Sequence, residues 1–264
     1  SGSAQGRLIM LPQARAEHRL QPSESALAGR VVLVTGANGG LGRACALSCA
    51  RAGASLVLAG RKVSALEGVY DEIERAGGAS PAIYPINLEG AAPQDYAAMV
   101  EAIRIQCGRL DALVHAAAHF DGLRPLAQTQ PIDWLKHQQV GLNAPFLLTQ
   151  ACMPLLRERE DAAVVFVLED PDRVSKAYWG GYGVAKAGLA ALASVFHEES
   201  ESGPVRVHGL LPAPMRTALR RMAYFGENTV ERELPERAGE AAAFLATAQA
   251  AAWRGKILDL RPLD

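Results

Sequence analysis

Four cysteines in 264 residues are too few to staple a fold, and their placement excludes most cysteine chemistry. Cys45, Cys49, Cys107 and Cys152 make neither a C-x-x-C pair nor a zinc-type cluster, so no metal-ligand set is read from the sequence. No disulfide framework is implied, which suits a reducing cytoplasm. Cys45 and Cys49 stand four apart on one expected helix face and read as small core residues. An excess of charge of either sign is missing too. Lys and Arg total 27 against 28 for Asp and Glu, which leaves a net charge of −1 and no electrostatic footprint for a nucleic-acid partner. No apolar run reaches the roughly 18 residues that a membrane span requires. The run Leu8–Leu11 is too short for a signal-peptide core. Repeats, low-complexity tracts and a second composition regime are all absent, so neither an internal linker nor a separate substrate domain is expected. One cytoplasmic domain over residues 29–264 is the expectation. Residues 1–28 read as a flexible extension, with Ser1-Gly2-Ser3 as a cloning remnant.

What is present is a soluble globular balance, 49% hydrophobic and 21% charged. Short apolar, β-branched runs at 30–35, 55–59, 82–86, 110–115, 163–168, 205–211 and 256–260 predict strands. Segments of helical spacing separate them at 41–52, 63–76, 93–106, 132–159, 181–200 and 235–250. The longest should bend near Asn143-Ala144-Pro145. The strands are continuously apolar without in/out alternation, as in a parallel sheet covered on both faces. The expected class is α/β, a single doubly wound Rossmann-type domain with a mostly parallel seven-stranded sheet and helices on both faces.

Between the first strand and first helix stands Thr35-Gly36-Ala37-Asn38-Gly39-Gly40-Leu41-Gly42. Glycine permits the torsions of a sharp turn, and a missing Cβ lets backbone touch a pyrophosphate. The helix that follows offers free N–H groups and a positive dipole end to that anion. The position of this turn, between strand and helix at the start of a βαβ unit, is the one the mechanism requires. After the second strand the chain reads Gly60-Arg61-Lys62, where an NAD-selective site places a carboxylate for the ribose 2′-hydroxyl. Arg61 can instead hold a 2′-phosphate through paired hydrogen bonds, which favours NADP(H) over NAD(H). The alternative is that Arg61 and Lys62 simply begin an exposed helix.

Farther on, Tyr182-Gly183-Val184-Ala185-Lys186 matches Y-x-x-x-K. Together with T-G-x-x-x-G-x-G at Thr35–Gly42, it resembles the short-chain dehydrogenase/reductase family over roughly residues 28–261. Trp179-Gly180-Gly181-Tyr182 and the segment Pro212–Thr217 look closest to its YciK-type branch, which is similar to 3-oxoacyl-carrier-protein reductases. The resemblance implies an oxidoreductase acting on a small-molecule carbonyl/alcohol pair, with Tyr182 exchanging the substrate proton. Lys186 would lower the phenol's pKa, ordinarily near ~10, and hold the nicotinamide ribose. Four residues apart on a helix, the two side chains share a face. The resemblance also implies a cofactor cradle of Gly36, Asn38, Gly40, Leu41, Gly42, Arg61, Asn87, Leu88, Ala116, Tyr182, Lys186, Pro212 and Thr217. Asn87 stands where the family has an Asp against adenine, and its amide oxygen could accept the same bond. A homodimer or homotetramer through helices of residues 144–158 and 181–200 is implied as well.

The chain departs from the family at the reaction centre. The family Ser is replaced by Glu169 and the family Asn by Gly141; Ser175 is too late and Asn143 points elsewhere. Ala118 and Ala213 replace glycines, trimming space near the cofactor. An ionised Glu169 would disfavour both an alkoxide and a tyrosinate beside it. It could serve as a catalytic residue if protonated, could pair with Lys186 or with an arginine, or could merely cap a turn. His115 and His119 flank the altered motif and read as strand-end and loop residues. Arg216, Arg220 and Arg221 either clamp an anionic group or line an exposed helix. The incomplete tetrad keeps two further readings open: a catalytically inactive NADP(H)-binding sensor or scaffold, and an isomerase or dehydratase with Glu169 as its base.

Overall fold

The computed structural model describes residues 10–262, so Ser1-Gly2-Ser3 and the start of the Leu8–Leu11 run lie outside the described residues. In chain order the elements are β1 (Gln13–Ala14), β2 (Val31–Thr35), α1 (Gly40–Arg51), β3 (Ser55–Gly60), α2 (Val63–Arg75) and β4 (Ala82–Pro85). Then come α3 (Pro93–Cys107), β5 (Ala112–His115), α4 (Pro131–Gln138), α5 (Ala144–Arg157), β6 (Ala162–Val167) and α6 (Pro171–Val174). The chain ends through α7 (Gly180–Ser200), β7 (Val205–Leu211), α8 (Ala218–Ala223), α9 (Glu236–Leu245) and β8 (Ile257–Asp259). The strands form one parallel sheet in the order β1-β8-β7-β6-β5-β2-β3-β4.

The doubly wound α/β class expected from the sequence is the class observed, with one correction. The sheet has eight strands rather than seven. The eighth is β1, in the stretch set aside as an extension, where Gln13 and Ala14 pair with Ile257 and Leu258 of β8. Two residues at a sheet edge carry no periodicity, so the pattern cannot announce them.

Both faces of the sheet are covered, which is why its central strands β2, β5 and β6 are almost wholly apolar. Val32 and Val34 of β2 and Val165 of β6 point into a core with Cys45 and Cys49 of α1, Leu66 of α2 and Phe244 of α9. Their neighbours Leu33, Val164 and Phe166 join Tyr96 of α3, Leu148 of α5 and Leu189 of α7 on the other side. Buried Cys45 and Cys49 are thus core residues, and burial pushes the Cys49 thiol up to about 12. Between α4 and α5 the helix passes through a π-helical segment, Gln139–Asn143, just ahead of Pro145. Because β2 continues to β3 on one side and pairs with β5 on the other, the connections part above the C-terminal ends of β2 and β5. That topological switch point is where doubly wound sheets open a crevice.

Two buried histidines make the fold sensitive to acid. His208 Nε2 accepts from Arg206 Nη1 at 2.8 Å, so its Nδ1 carries the proton donated to the Trp253 carbonyl at 2.8 Å. His115 stacks on Phe166 with ring centroids 4.9 Å apart, and its Nε2 meets Thr149 Oγ1 at 2.8 Å. Burial above all lowers both rings to about 3; Arg206 adds repulsion at His208, outweighing the help of Asp161, and Lys186 does so at His115. A depressed imidazole pKa means that the unfolded chain binds protons the native one refuses. The stability this confers is complete above pH ~6.5 and is lost as pH falls toward the native values. Chemical denaturation between pH 7.5 and 5 should therefore show a slope approaching roughly 2.7 kcal/mol per pH unit, two protons' worth, at the acid end. A flat profile over that range would mean that these rings are charged in the fold.

Candidate active site

The glycine turn sits at the switch point. Gly36, at the end of β2, has φ +63°, and a Cβ there would lie 2.7 Å from the Ala117 Cα after β5. A Cβ on Gly42 would stand 2.0 Å from the Gly36 carbonyl oxygen. These glycines let the turn and the first turn of α1 fold tightly against each other. α1 has no side-chain cap and no acidic residue in its first turn, so its amide groups are left for an anion. Gly40 and Thr217 approach from opposite sides: a Cβ on Gly40 would be 3.3 Å from the Thr217 methyl. Thr217 is also the N-cap of α8, its Oγ1 accepting from Arg220 N at 3.2 Å.

One end of the cleft is made by the C-terminal ends of β3 and β4. A Cβ on Gly60 would lie 2.7 Å from Asn38 Oδ1, so a carboxylate could not stand at position 60 without displacing Asn38. Arg61 is exposed and its Nη1 donates to Glu89 Oε1 at 2.6 Å. Asn87 Oδ1 accepts from the Glu89 amide at 3.2 Å, so the amide oxygen expected to face adenine is already engaged in a local turn. Leu88 and Ala116 also line the cleft.

At the other end stand Tyr182 and Lys186 of α7, both buried. The Tyr182 hydroxyl donates to Glu169 Oε1 at 2.7 Å, and Lys186 Nζ donates to the Val167 carbonyl of β6 at 3.0 Å. Burial, then the Glu169 charge, holds the Tyr182 phenol well above its ordinary value, although Arg173 opposes this. Burial also lowers Lys186, against the pull of Glu169.

Glu169 pairs with Arg173 on α6, not with Lys186. Lys186 thus makes no ion pair with Glu169, which acts on it only through its charge. Asp170 caps α6, its Oδ1 accepting from Asp172 N at 3.0 Å, and Arg261 beyond β8 holds the same oxygen at 2.9 Å. Arg173 also lies over the Trp179 ring, 5.0 Å from its centroid. Of the roles left open at this position, pairing of Glu169 with an arginine is the one formed, and the turn is capped by Asp170. The signal was there: Asp-Pro is a helix N-cap followed by N1, and Glu169 and Arg173 are four apart.

Other candidates are placed differently. Asn143 is exposed and donates to Gln139 Oε1 at 3.1 Å; Ser175 is exposed and donates to the Pro171 carbonyl. Gly141 lies in the π-helical segment, where a Cβ would be 2.9 Å from the Ala185 Cβ, so α7 leaves no room for a side chain. Arg220 is no free anion clamp: it binds Glu227 with both Nε (2.6 Å) and Nη2 (2.8 Å). His115 faces the core, whereas His119, Ala118, Ala213 and Pro212 line the cleft. The cleft holds about 440 Å³, within the range of small-molecule sites.

The short chain dehydrogenase family profile matches residues 30–226. An Escherichia coli K12 protein named uncharacterized oxidoreductase YciK is 31% identical over 215 residues, 81% of this chain and 85% of its own. The 0.95 Å structure of the oxidoreductase yciK from E. coli superposes with a TM-score of 0.88 at 29% identity, over 93% of this chain and 100% of that one. A short-chain-dehydrogenase-like protein of E. coli CFT073, solved in complex with NADPH, gives 0.87 at 29% identity, over 91% and 100%.

Proposed function

Because the chain belongs to the short-chain dehydrogenase family, we propose that it is an NADP(H)-dependent oxidoreductase for a small-molecule carbonyl/alcohol pair, with Tyr182 as acid/base and Lys186 assisting. The observation that carries this reading is one cleft opened at both ends by the expected chemistry. The glycine turn and the uncapped start of α1 meet Tyr182 and Lys186 of α7 across it.

The residues present fit a dinucleotide. Gly36 and Gly42 leave the space a Cβ would fill, and the α1 amides suit a pyrophosphate. Asn38, Gly40 and Leu41 would line its phosphates; Asn87, Leu88 and Ala116 its adenosine side; Pro212 and Thr217 its nicotinamide side. Bound there, NADPH supplies a hydride. Tyr182 supplies the proton at its hydroxyl, and the Lys186 ammonium offsets the negative charge left on the phenol oxygen. Catalysis by Tyr182 requires its hydroxyl to turn from Glu169 toward the substrate oxygen.

Arg61 is the proposed 2′-phosphate ligand, and its exposed ion pair with Glu89 must open or be shared for that role. Arg61→Ala should weaken NADPH by about 10- to 100-fold and leave NADH nearly unchanged. Fluorescence titration of the purified chain with each nucleotide measures this. Equal losses for both nucleotides would place the 2′-phosphate elsewhere.

A second reading has its own observation. The one proton of the Tyr182 hydroxyl is already given to Glu169, and the family Ser and Asn are missing. A protein that binds NADP(H) as a sensor or scaffold, without turnover, matches that geometry. Nucleotide binding without NADPH oxidation across a panel of aldehydes and ketones would favour it.

A further inference from the structure

Behind the substrate wall of the cleft, the chain after β5 meets the helix α4. We propose that His119, Asp121 and His137 form a binding site for a late first-row divalent cation, with Zn²⁺ as the reference ion. One ligand atom from each residue lies within 4.8 Å of the other two. The two imidazole rings face each other at a centroid distance of 5.1 Å, tilted by 55°.

The nitrogen atoms are the telling feature. His137 is only 6% exposed, yet neither of its ring nitrogens has a hydrogen-bond partner among the described residues. Its Nε2 stands 3.1 Å from Asp121 Oδ1 without hydrogen-bond alignment. Nε2 of His119 is buried and equally unpartnered. Buried polar atoms are normally paired, and leaving several bare in one spot is costly. A cation bonded to both rings and the carboxylate removes that cost at once.

The surroundings fit a metal better than a hydrogen-bonded triad. Glu89 Oε1 lies 3.5 Å from His119 Nδ1, on the side of the ring away from Nε2. That oxygen also accepts from Arg61, and a carboxylate on this side favours a proton at Nδ1, which leaves the Nε2 lone pair for a metal. Arg124 stands 3.8 Å from Asp121, but its nearer partner is Asp133 at 2.9 Å, so it does not consume the Asp121 carboxylate. Two imidazoles and one carboxylate suit zinc and its neighbours, with a fourth position for water. Tetrahedral zinc holds its ligand atoms roughly 3.3 Å apart. Reaching that from 4.8 Å takes side-chain rotation at His119 and Asp121, which sit on a loop without regular structure.

No local spacing marks the site, since His119-x-Asp121 is not a metal motif and His137 lies on a different element. The consequence reaches the active site. Phe120, between two of the ligands, packs edge-on against Tyr182 at 5.2 Å and lies 5.5 Å from Trp179. An ion held by its neighbours would brace that wall.

The test is a titration of the chelator-treated full chain with Co²⁺, reading its visible d–d absorption, followed by displacement with Zn²⁺. The expected result is one Co²⁺ per chain, displaced by one Zn²⁺. His119→Gln, at a partly exposed loop position, should weaken binding by about 100-fold or more, and Glu89→Gln by roughly 10- to 100-fold. His137→Gln should abolish the band, with circular dichroism confirming that the fold is kept. No band at millimolar Co²⁺, or an unchanged band in His119→Gln, overturns the proposal.

Discussion

Tyr182→Phe should reduce NADPH-dependent carbonyl reduction by roughly 10²- to 10⁴-fold while leaving nucleotide affinity within a factor of a few. The substitution removes one oxygen and little else. The ring keeps its contacts with Phe120, 5.2 Å away, and Trp179, 5.8 Å away. Glu169 keeps Arg173, so no buried charge is orphaned. A large fall in turnover therefore reports the proton and not the fold. Parallel NADPH absorbance assays and fluorescence titrations separate the two. An activity undiminished in Tyr182→Phe would remove Tyr182 from the mechanism.

The second large effect belongs to Glu169, and its sign is set by charge. A carboxylate 2.7 Å from the Tyr182 hydroxyl opposes formation of tyrosinate, whether Tyr182 is giving a proton in reduction or taking one in oxidation. Glu169→Ser removes that charge and supplies a neutral donor toward the reacting oxygen. A donor of this kind is worth on the order of 10²–10³ in rate, so kcat for carbonyl reduction should rise by up to that factor. Glu169→Gln removes the charge without adding a hydroxyl and leaves Arg173 unneutralised, and both changes lower the Tyr182 pKa. The rising limb of the pH–rate profile for alcohol oxidation should move to lower pH in this variant. Neither test needs Gly141→Asn, because a side chain at 141 meets Ala185. Should Glu169→Gln instead abolish a reaction that consumes no NADPH, Glu169 is itself the proton-transfer base, and the chemistry is that of an isomerase or dehydratase.

Arg173 explains why the position of Glu169 could be read and its behaviour could not. Counting back from Tyr182 places a carboxylate at the end of β6, but its partner depends on whether residues 171–174 turn into a helix. Pro171 is the first residue of α6, and that turn of helix swings Arg173 onto Glu169. The same holds for Arg220. Its neighbours suggest an exposed helix or an anion clamp, and Glu227, seven residues away across a loop, decides the matter.

By itself the sequence determined the layers of the fold, the glycine turn and the spacing from that turn to Tyr182 and Lys186. These are local properties: apolar periodicity, the torsions that only glycine adopts, and the four-residue repeat of a helix face. By resemblance it also put Glu169 and Gly141 where the family has Ser and Asn. Tertiary structure alone decided the eighth strand, in which two residues near the start pair with β8. It alone gave Glu169 an ion pair with Arg173 and drew His119, Asp121 and His137 together. The reason is physical. Torsion and periodicity are written in neighbouring residues, whereas the partner of a charge or a bare nitrogen is supplied by whichever distant element the sheet order brings alongside.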